Sequence, residues 1–271
     1  MPRADRQDPL FSGAQAYERF MGRWSRDLAR LLVRFAGVRD GDVVLDVGSG
    51  TGAMAAAVAG AAPAARIVGV DSSAAYVAFA QARQAHETVS FEVGDAQRMR
   101  FADGTFDRAV SLLVMNFVPD AQKAVREMKR VTRPGGTIAA AVWDYGGGME
   151  MLRAFWDAAI ELQPGDAARD ERHMPLCRRG ELASLWRREG LREVVDDALS
   201  IETGFLSFED FWTPFLEQQG PAGAYAASLS SAQREDLRHR LRQRLLGAAP
   251  DGPFTLSARA WAVRGAVASN R

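Results

Sequence analysis

Residues 43–52 read VVLDVGSGTG, a β-branched apolar run that carries Asp46 near its end and then turns through Gly48, Gly50 and Gly52. Glycine tolerates positive φ and lets backbone approach a ligand closely. The next ten residues, AMAAAVAGAA, are rich in the best helix former. A strand, a glycine elbow and a helix N-terminus in succession leave backbone N–H groups aimed at whatever polar group fills the elbow, which is how nucleotide sites are built.

The elbow alone admits two cofactors. As Gly48-x-Gly50-x-x-Ala53 it fits the dinucleotide fingerprint, with alanine in third place. As Asp46-x-Gly48-x-Gly50-x-Gly52 it resembles the first motif of class I S-adenosylmethionine (SAM) dependent methyltransferases. Asp46 favours the second reading, because a carboxylate at the strand end accepts from an ammonium and repels a pyrophosphate.

Upstream, Phe20, Trp24, Leu28, Leu31, Leu32 and Phe35 recur at threes and fours, which predicts a helix from Tyr17 to about Val38, stopped by Gly37 and the Arg39-Asp40-Gly41 turn. Residues 1–12, polar and with two prolines, read as a loosely held tail. Downstream, ARIVGVD is a second strand whose Asp71 lies 19 residues beyond Gly52. That is close to the ~20-residue spacing at which a carboxylate meets ribose hydroxyls one strand over. A helix with Tyr76, Phe79 and Ala80 inside follows, then a strand from Val89 to Val93 running into Gly94-Asp95-Ala96-Gln97. A fourth strand spans Phe106 to Leu112, and residues 119–133 form an amphipathic helix with Ala121, Val125, Met128 and Val131 inside. The turn Arg133-Pro134-Gly135-Gly136 feeds a fifth strand, TIAAAVWD. Strand and helix thus alternate five times between residues 41 and 144, which predicts a parallel sheet with helices on both faces. Ligands of such sheets bind at the carboxyl ends of the strands, where Gly48–Gly52, Asp71, Asp95 and Leu112 all fall.

With these pieces in order, VLDVGSGTG, GVDSS, GDAQ, FDRAVSLLVMNFVPD and REMKRVTRPGGT together resemble a class I SAM-dependent methyltransferase of the small-molecule type over roughly 110 residues. The resemblance implies a doubly wound, mostly parallel, seven-stranded Rossmann-like α/β sheet with its last strand antiparallel. It implies that Asp46 and the backbone of Gly48, Ser49, Gly50, Thr51 and Gly52 hold the methionine moiety, and that Asp71 holds the ribose. Ser72, Asp95, Ala96 and Gln97 would border the adenine, and Leu112 would contact the cofactor. Relatives often carry His where this chain has Asn116, and an amide takes no proton at neutral pH. The segment YERFMGRWS sits where such enzymes have a lid, making Tyr17 and Arg23 candidates to cover the ligand. The organisation expected is a tail and helical lid over 1–40, a SAM-binding core over 41–148, and a C-terminal part of the same domain over 149–271.

Beyond residue 145 the pattern is weaker. MEMLRAFWDAAIEL reads as a helix, ELASLWRREGLREVVDDALSIET as helix, Gly190 stop and strand, and FTLSARAWAVRGAV as the last strand. Residues 205–250 are mostly helical and too long for a simple connection, so they read as an insert and a candidate acceptor lid. Its aromatics are more often core than binding groups, but Phe211 and Trp212, with Asn116 and Trp143, are the acceptor-contact candidates. Trp143 and Asp144 end the fifth strand at the same edge, while the isolated His173 and Cys177 show no partner in sequence. No residue stands out as a catalytic base.

In a chain of 271 residues, Lys plus Arg and Asp plus Glu are both 34. A net charge of zero gives no footprint for nucleic acid. One cysteine and three scattered histidines exclude a disulfide framework and show no metal cluster. No uncharged apolar run nears the roughly 20 residues that span a bilayer. The chain is therefore expected to be a cytoplasmic enzyme, monomeric or homodimeric, that uses SAM on a small-molecule acceptor without membrane, nucleic acid or metal. A nicotinamide-dependent reductase and a non-catalytic cofactor-binding protein of the same fold are the rivals.

Overall fold

The computed structural model describes residues 13–269, so the expected tail over 1–12 lies outside the described residues. Seven strands form one sheet: β1 (Val43–Val47), β2 (Arg66–Asp71), β3 (Val89–Val93), β4 (Phe106–Leu112), β5 (Thr132–Trp143), β6 (Arg192–Phe205) and β7 (Phe254–Ala266). Their order is β3-β2-β1-β4-β5-β7-β6. The first five run parallel, and β7 lies antiparallel between β5 and β6. Chain order reverses between β1 and β4, so the fold has its switch point, and hence its ligand crevice, at their carboxyl ends. From Ile138 to Trp143 every residue of β5 is buried, as expected of a strand covered on both faces.

Helices pack around this sheet. The N-terminal helix comprises α1 (Ala14–Tyr17), a π turn over Glu18–Gly22, and α2 (Arg23–Ala36). Trp24, Leu28 and Leu32, spaced by four, form one buried face of α2, and Gly37 ends it at φ +65° with its N–H on the Arg34 carbonyl. The helix therefore starts three residues before Tyr17, and the five-residue turn, a frequent companion of functional sites, interrupts it beside the elbow. The core helices are α3 (Ala53–Ala61), α4 (Ala74–Arg83), α5 (Ala121–Val131), α6 (Glu150–Leu162) and α7 (Glu181–Arg188). In α4 the inward residues are Tyr76, Val77 and Ala80, while Phe79 is only half-buried beneath Arg83.

Two connections depart from the expected alternation. Residues 94–105 join β3 to β4 without a helix, because Asp95 folds back through a short bridge to Arg98. The Arg133–Gly136 segment does not separate α5 from a strand; it is a bulge inside β5, which already pairs Thr132 with Phe106 before Thr137 pairs with Arg108. Gly135 sits at φ +76° with its N–H on the Val267 carbonyl, so the bulge is anchored to the residue just past β7.

The insert between β6 and β7 holds α8 (Phe208–Trp212), a 3-10 turn (Thr213–Glu217), α9 (Gly220–Ser228) and α10 (Ser231–Leu246). Its aromatics join the core. Phe215 stacks on Phe155 of α6 at 4.6 Å, and Phe211 meets Phe205 edge-on at 5.5 Å. On α10, Leu237 and Leu241 are buried while Arg238 and Arg244 pair with Glu209 and Glu161.

Candidate functional site

The elbow conformation follows from its glycines. Gly48, Gly50 and Gly52 all have positive φ (+74°, +51° and +90°), and the Gly48 and Ser49 N–H groups both donate to the Val70 carbonyl of β2. At Gly48 an added Cβ would lie 2.5 Å from both γ carbons of Val114, whereas at Gly50 nothing stands within 4 Å. Gly48 thus packs elbow against the β4 loop, and Gly50 faces open space.

Above the elbow lies a cavity of about 470 Å³, within the usual size of a small-molecule site. It is lined by Tyr17, Asp46, Gly48, Ser49, Gly50, Thr51, Asp71, Ser72, Asp95, Ala96, Gln97, Leu112 and Trp143. These are residues that sequence reasoning singled out, gathered from the ends of five strands and from the N-terminal helix. Gly52 is not in the wall; it caps α3, and an added Cβ there would meet Phe91 at 3.2 Å.

Asp46 is 1% exposed, and among the described residues neither of its oxygens has a donor at full hydrogen-bond geometry; a weak backbone hydrogen bond from the Ala55 N–H is all that favours its charged form. Burial, and then the charge of Asp71, push its carboxyl up to about 8. A buried polar group without a partner is rare and calls for a ligand or a strained state. The Ser49 hydroxyl and the Trp143 indole N–H in the same wall are also unpartnered. The arrangement can receive an ammonium at Asp46 and an acceptor group at Ser49. Asp71 accepts from the Gly50 and Ser73 N–H groups at 2.8 Å each, which leaves a second lone pair on each oxygen for hydroxyl donors. Burial raises its carboxyl too, against those two N–H groups. Asp95 uses one oxygen to hold the Gln97 N–H at 2.8 Å, and its other oxygen has no donor among the described residues. Beyond Leu112, Leu113 sits at φ +63°, a left-handed conformation that costs a non-glycine residue about 1–2 kcal/mol and is kept where a site needs it.

Five expected contacts fall elsewhere or are already occupied. Arg23 is not in the cavity wall: Asp210 takes its guanidinium with bonds of 3.1 and 2.6 Å, and it lies 4.9 Å over the Phe205 ring. Phe211 and Trp212 are buried in the insert core, so they pack rather than line. Asn116 is buried behind the wall, where its amide meets Met174 Sδ at 4.0 Å and the Tyr145 hydroxyl. Asp144, at the same strand end, is occupied by Arg259 at 2.6 Å. The insert reaches the cavity only through Gly220 and Pro221.

Residues that the sequence did not mark as contacts also stand at or behind the wall. Glu18 accepts from Thr51 Oγ1 at 2.5 Å and pairs with Arg26, latching the π turn onto the elbow. Phe20 and Met21 of that turn, Tyr145 after β5, Leu152 of α6 and Glu171 complete the wall. Among the described residues lining it are four acids, Asp46, Asp71, Asp95 and Glu171, and no Lys, Arg or His.

Comparison with known proteins agrees with this geometry. Residues 45–140 match the methyltransferase domain family. A malonyl-[acyl-carrier protein] O-methyltransferase of Geobacter sulfurreducens is 32% identical over 189 residues, covering 67% of this chain and 68% of that protein. An uncharacterized protein of Mycobacterium tuberculosis is 36% identical over 118 residues, 43% of this chain, and the match spans 42% of the relative's length. In fold, the chain resembles the Haemonchus contortus phosphoethanolamine N-methyltransferase 2 solved in complex with S-adenosyl-L-methionine. The TM-score is 0.59 at 21% identity, over 98% of this chain and 59% of that one. With the elbow at the switch point, the unpartnered Asp46 and a relative matched over two thirds of its length, the chain belongs to the class I SAM-dependent methyltransferases.

Proposed function

We propose that this protein transfers the methyl group of SAM to a small-molecule acceptor with an apolar body, releasing S-adenosylhomocysteine (SAH). The observation that carries this reading is the unpartnered Asp46 carboxylate in the elbow of the 470 Å³ cavity. A carboxylate buried there is costly unless a cation meets it, and the SAM ammonium is such a cation. SAM supplies a methyl group already activated on a sulfonium, so the protein's work is to position an acceptor in line and exclude water. Asp46 and Ser49 would hold the methionyl end, Asp71 the ribose, and Ser72, Asp95 and Ala96 the edge of the adenine. A dinucleotide is disfavoured, since its pyrophosphate would meet acids and no cation among the described lining residues.

The acceptor half would lie over β4 and β5. Neighbouring strands stand about 4.8 Å apart, so the end of β5 is roughly 14 Å from β2, where Asp71 sits. There the wall is apolar: Phe20, Met21, Leu113, Phe117 and Leu152. The Thr51–Glu18 bond ties the helical lid over this space. Thr51→Val is expected to loosen the lid and weaken SAM binding about fivefold, the worth of one hydrogen bond of about 1 kcal/mol, chiefly through faster dissociation in a stopped-flow experiment.

The test is incubation of the protein with methyl-labelled SAM and a small-molecule extract, protein and RNA. Label in the organic-soluble small-molecule fraction, with one SAH released per methyl, is the expected result. Label in protein or RNA would overturn the acceptor class.

A further inference from the structure

Glu171 is the one cavity carboxylate away from the cofactor half. It is 5% exposed and lies in a 3-10 turn, Glu171–His173, within a stretch that sequence left without a role. Two residues one turn apart on α6, Arg153 and Trp156, place it. Trp156 Nε1 donates to Glu171 Oε2 at 2.7 Å. Arg153 grips Asp170 with bonds of 2.8 and 2.9 Å and the Tyr145 carbonyl at 3.1 Å. Asp170 in turn caps the turn through the Arg172 N–H and takes the Arg172 guanidinium at 2.5 Å. Both cations near Glu171 are thereby spent on Asp170 and Asp157. Among the described residues Oε1 of Glu171 has no donor, in a wall shared with Tyr145 and Leu152.

We propose that Glu171 is the base that takes a proton from the methyl acceptor, and that the acceptor is an uncharged molecule with a weakly acidic O–H on an apolar body, such as a phenol or enol. This rests on the methyl-transfer reading above. One observation and one chemical argument carry the acceptor class. An anionic acceptor, a carboxylate or phosphate, would find four acids and no cation among the described lining residues. A neutral amine attacks with a lone pair it already has and sheds its proton afterwards, whereas an O–H group becomes a strong nucleophile only as its proton leaves. A base held beside the apolar half serves the second chemistry.

The step balances. The acceptor oxygen forms its bond to the methyl carbon with its own electron pair, the carbon–sulfur pair stays on sulfur, and the O–H proton passes to Glu171 Oε1. The positive charge lost at sulfur is matched by the proton that neutralises the carboxylate. Burial supports the role by pushing Glu171 up to about 7, with Asp170 acting in the same direction and the Trp156 bond and Arg153 opposing it. Tyr145 and Cys177, the other titratable groups that face it, are held neutral by burial. Catalytic carboxyls work best when tuned to near the operating pH.

The experiment is a carbon-13 titration of the full chain labelled at glutamate Cδ and loaded with SAH, assigned by the resonance missing from Glu171→Gln, with turnover of phenol, aniline and benzoate measured alongside. A midpoint near 7 is expected. Turnover is expected with phenol and not benzoate, with kcat lowered about a hundredfold in Glu171→Gln, partly restored in Glu171→Asp, and with the SAH Kd unchanged. A midpoint below 5, preference for benzoate, or preference for aniline with Glu171→Gln unimpaired would overturn the inference. Should no ring compound turn over, the titration alone decides. Failure of the wild type to bind SAM and SAH would instead strike the methyl-transfer reading itself.

Discussion

Asp46→Asn is expected to weaken SAM binding roughly a hundredfold while leaving the free protein as stable as the wild type at pH 7, or more so. The binding loss follows from removing a buried charge that a cationic ligand would meet, worth about 2–3 kcal/mol. The stability result follows from the opposite side of the same fact. In the free protein the Asp46 carboxyl, buried with only a weak hydrogen bond from the Ala55 N–H and pushed up to about 8, is mostly protonated at neutral pH. In the unfolded chain it ionises near pH 4. Between those values the native state holds a proton that the unfolded state has released, so stability falls as pH rises from about 4 to about 8. The asparagine variant lacks this slope. Urea unfolding from pH 4 to 9 should therefore show the variant gaining on the wild type by a few kcal/mol across the window and no further above it. Because the ammonium requires the ionised carboxylate, SAM binding at pH 7 should release a proton and tighten toward pH 8. A variant that binds SAM normally, or that is less stable at every pH, would sink this account of Asp46.

Gly48→Ala is expected to cost about 3 kcal/mol of stability and to abolish binding. The left-handed backbone at φ +74° accounts for about 1–2 kcal/mol. The rest is overpacking: the new methyl would stand 2.5 Å from both Val114 γ carbons and 2.8 Å from Val114 Cβ, which a β-branched side chain cannot relieve by swinging away. Val114 is itself cavity wall, so its displacement reaches the ligand. Gly50→Ala is the control, because it shares the positive φ but has nothing within 4 Å of the new methyl. It should lose only about 1 kcal/mol of stability, from the left-handed backbone alone. Equal losses at the two positions, measured by urea unfolding at unchanged m, would contradict the division of labour between these glycines.

Much of the sheet was readable because it is local. β1, β2 and β4 are short apolar runs bounded by turn residues, and a parallel sheet brings each of their carboxyl ends to one edge without further information. The elbow and the strand-end acids were legible for that reason. What failed depended on partners distant in sequence. Arg23 reads as a lid cation until Asp210, 187 residues on, takes it. Phe211 and Trp212 read as acceptor contacts, but burying large rings against Phe205 and Phe215 stabilises the insert more than exposing them to a ligand would. Pro134-Gly135-Gly136 has turn composition and yet forms a bulge, because Val267, the residue that follows β7, offers its carbonyl to Gly135. Glu171 was invisible because nothing near it is periodic. Its signal is Arg153-x-x-Trp156 on α6, two polar-tipped residues on the buried face of a helix that must each find a partner.

The central claim, that the elbow holds an adenosyl sulfonium ligand, is tested most directly by parallel calorimetric titration of the protein with SAM, SAH and NADH. SAM and SAH are expected to bind at micromolar affinity, SAM with proton release at pH 7, and NADH is expected not to bind. Binding of NADH, or SAM binding undiminished by Asp46→Asn, would contradict it.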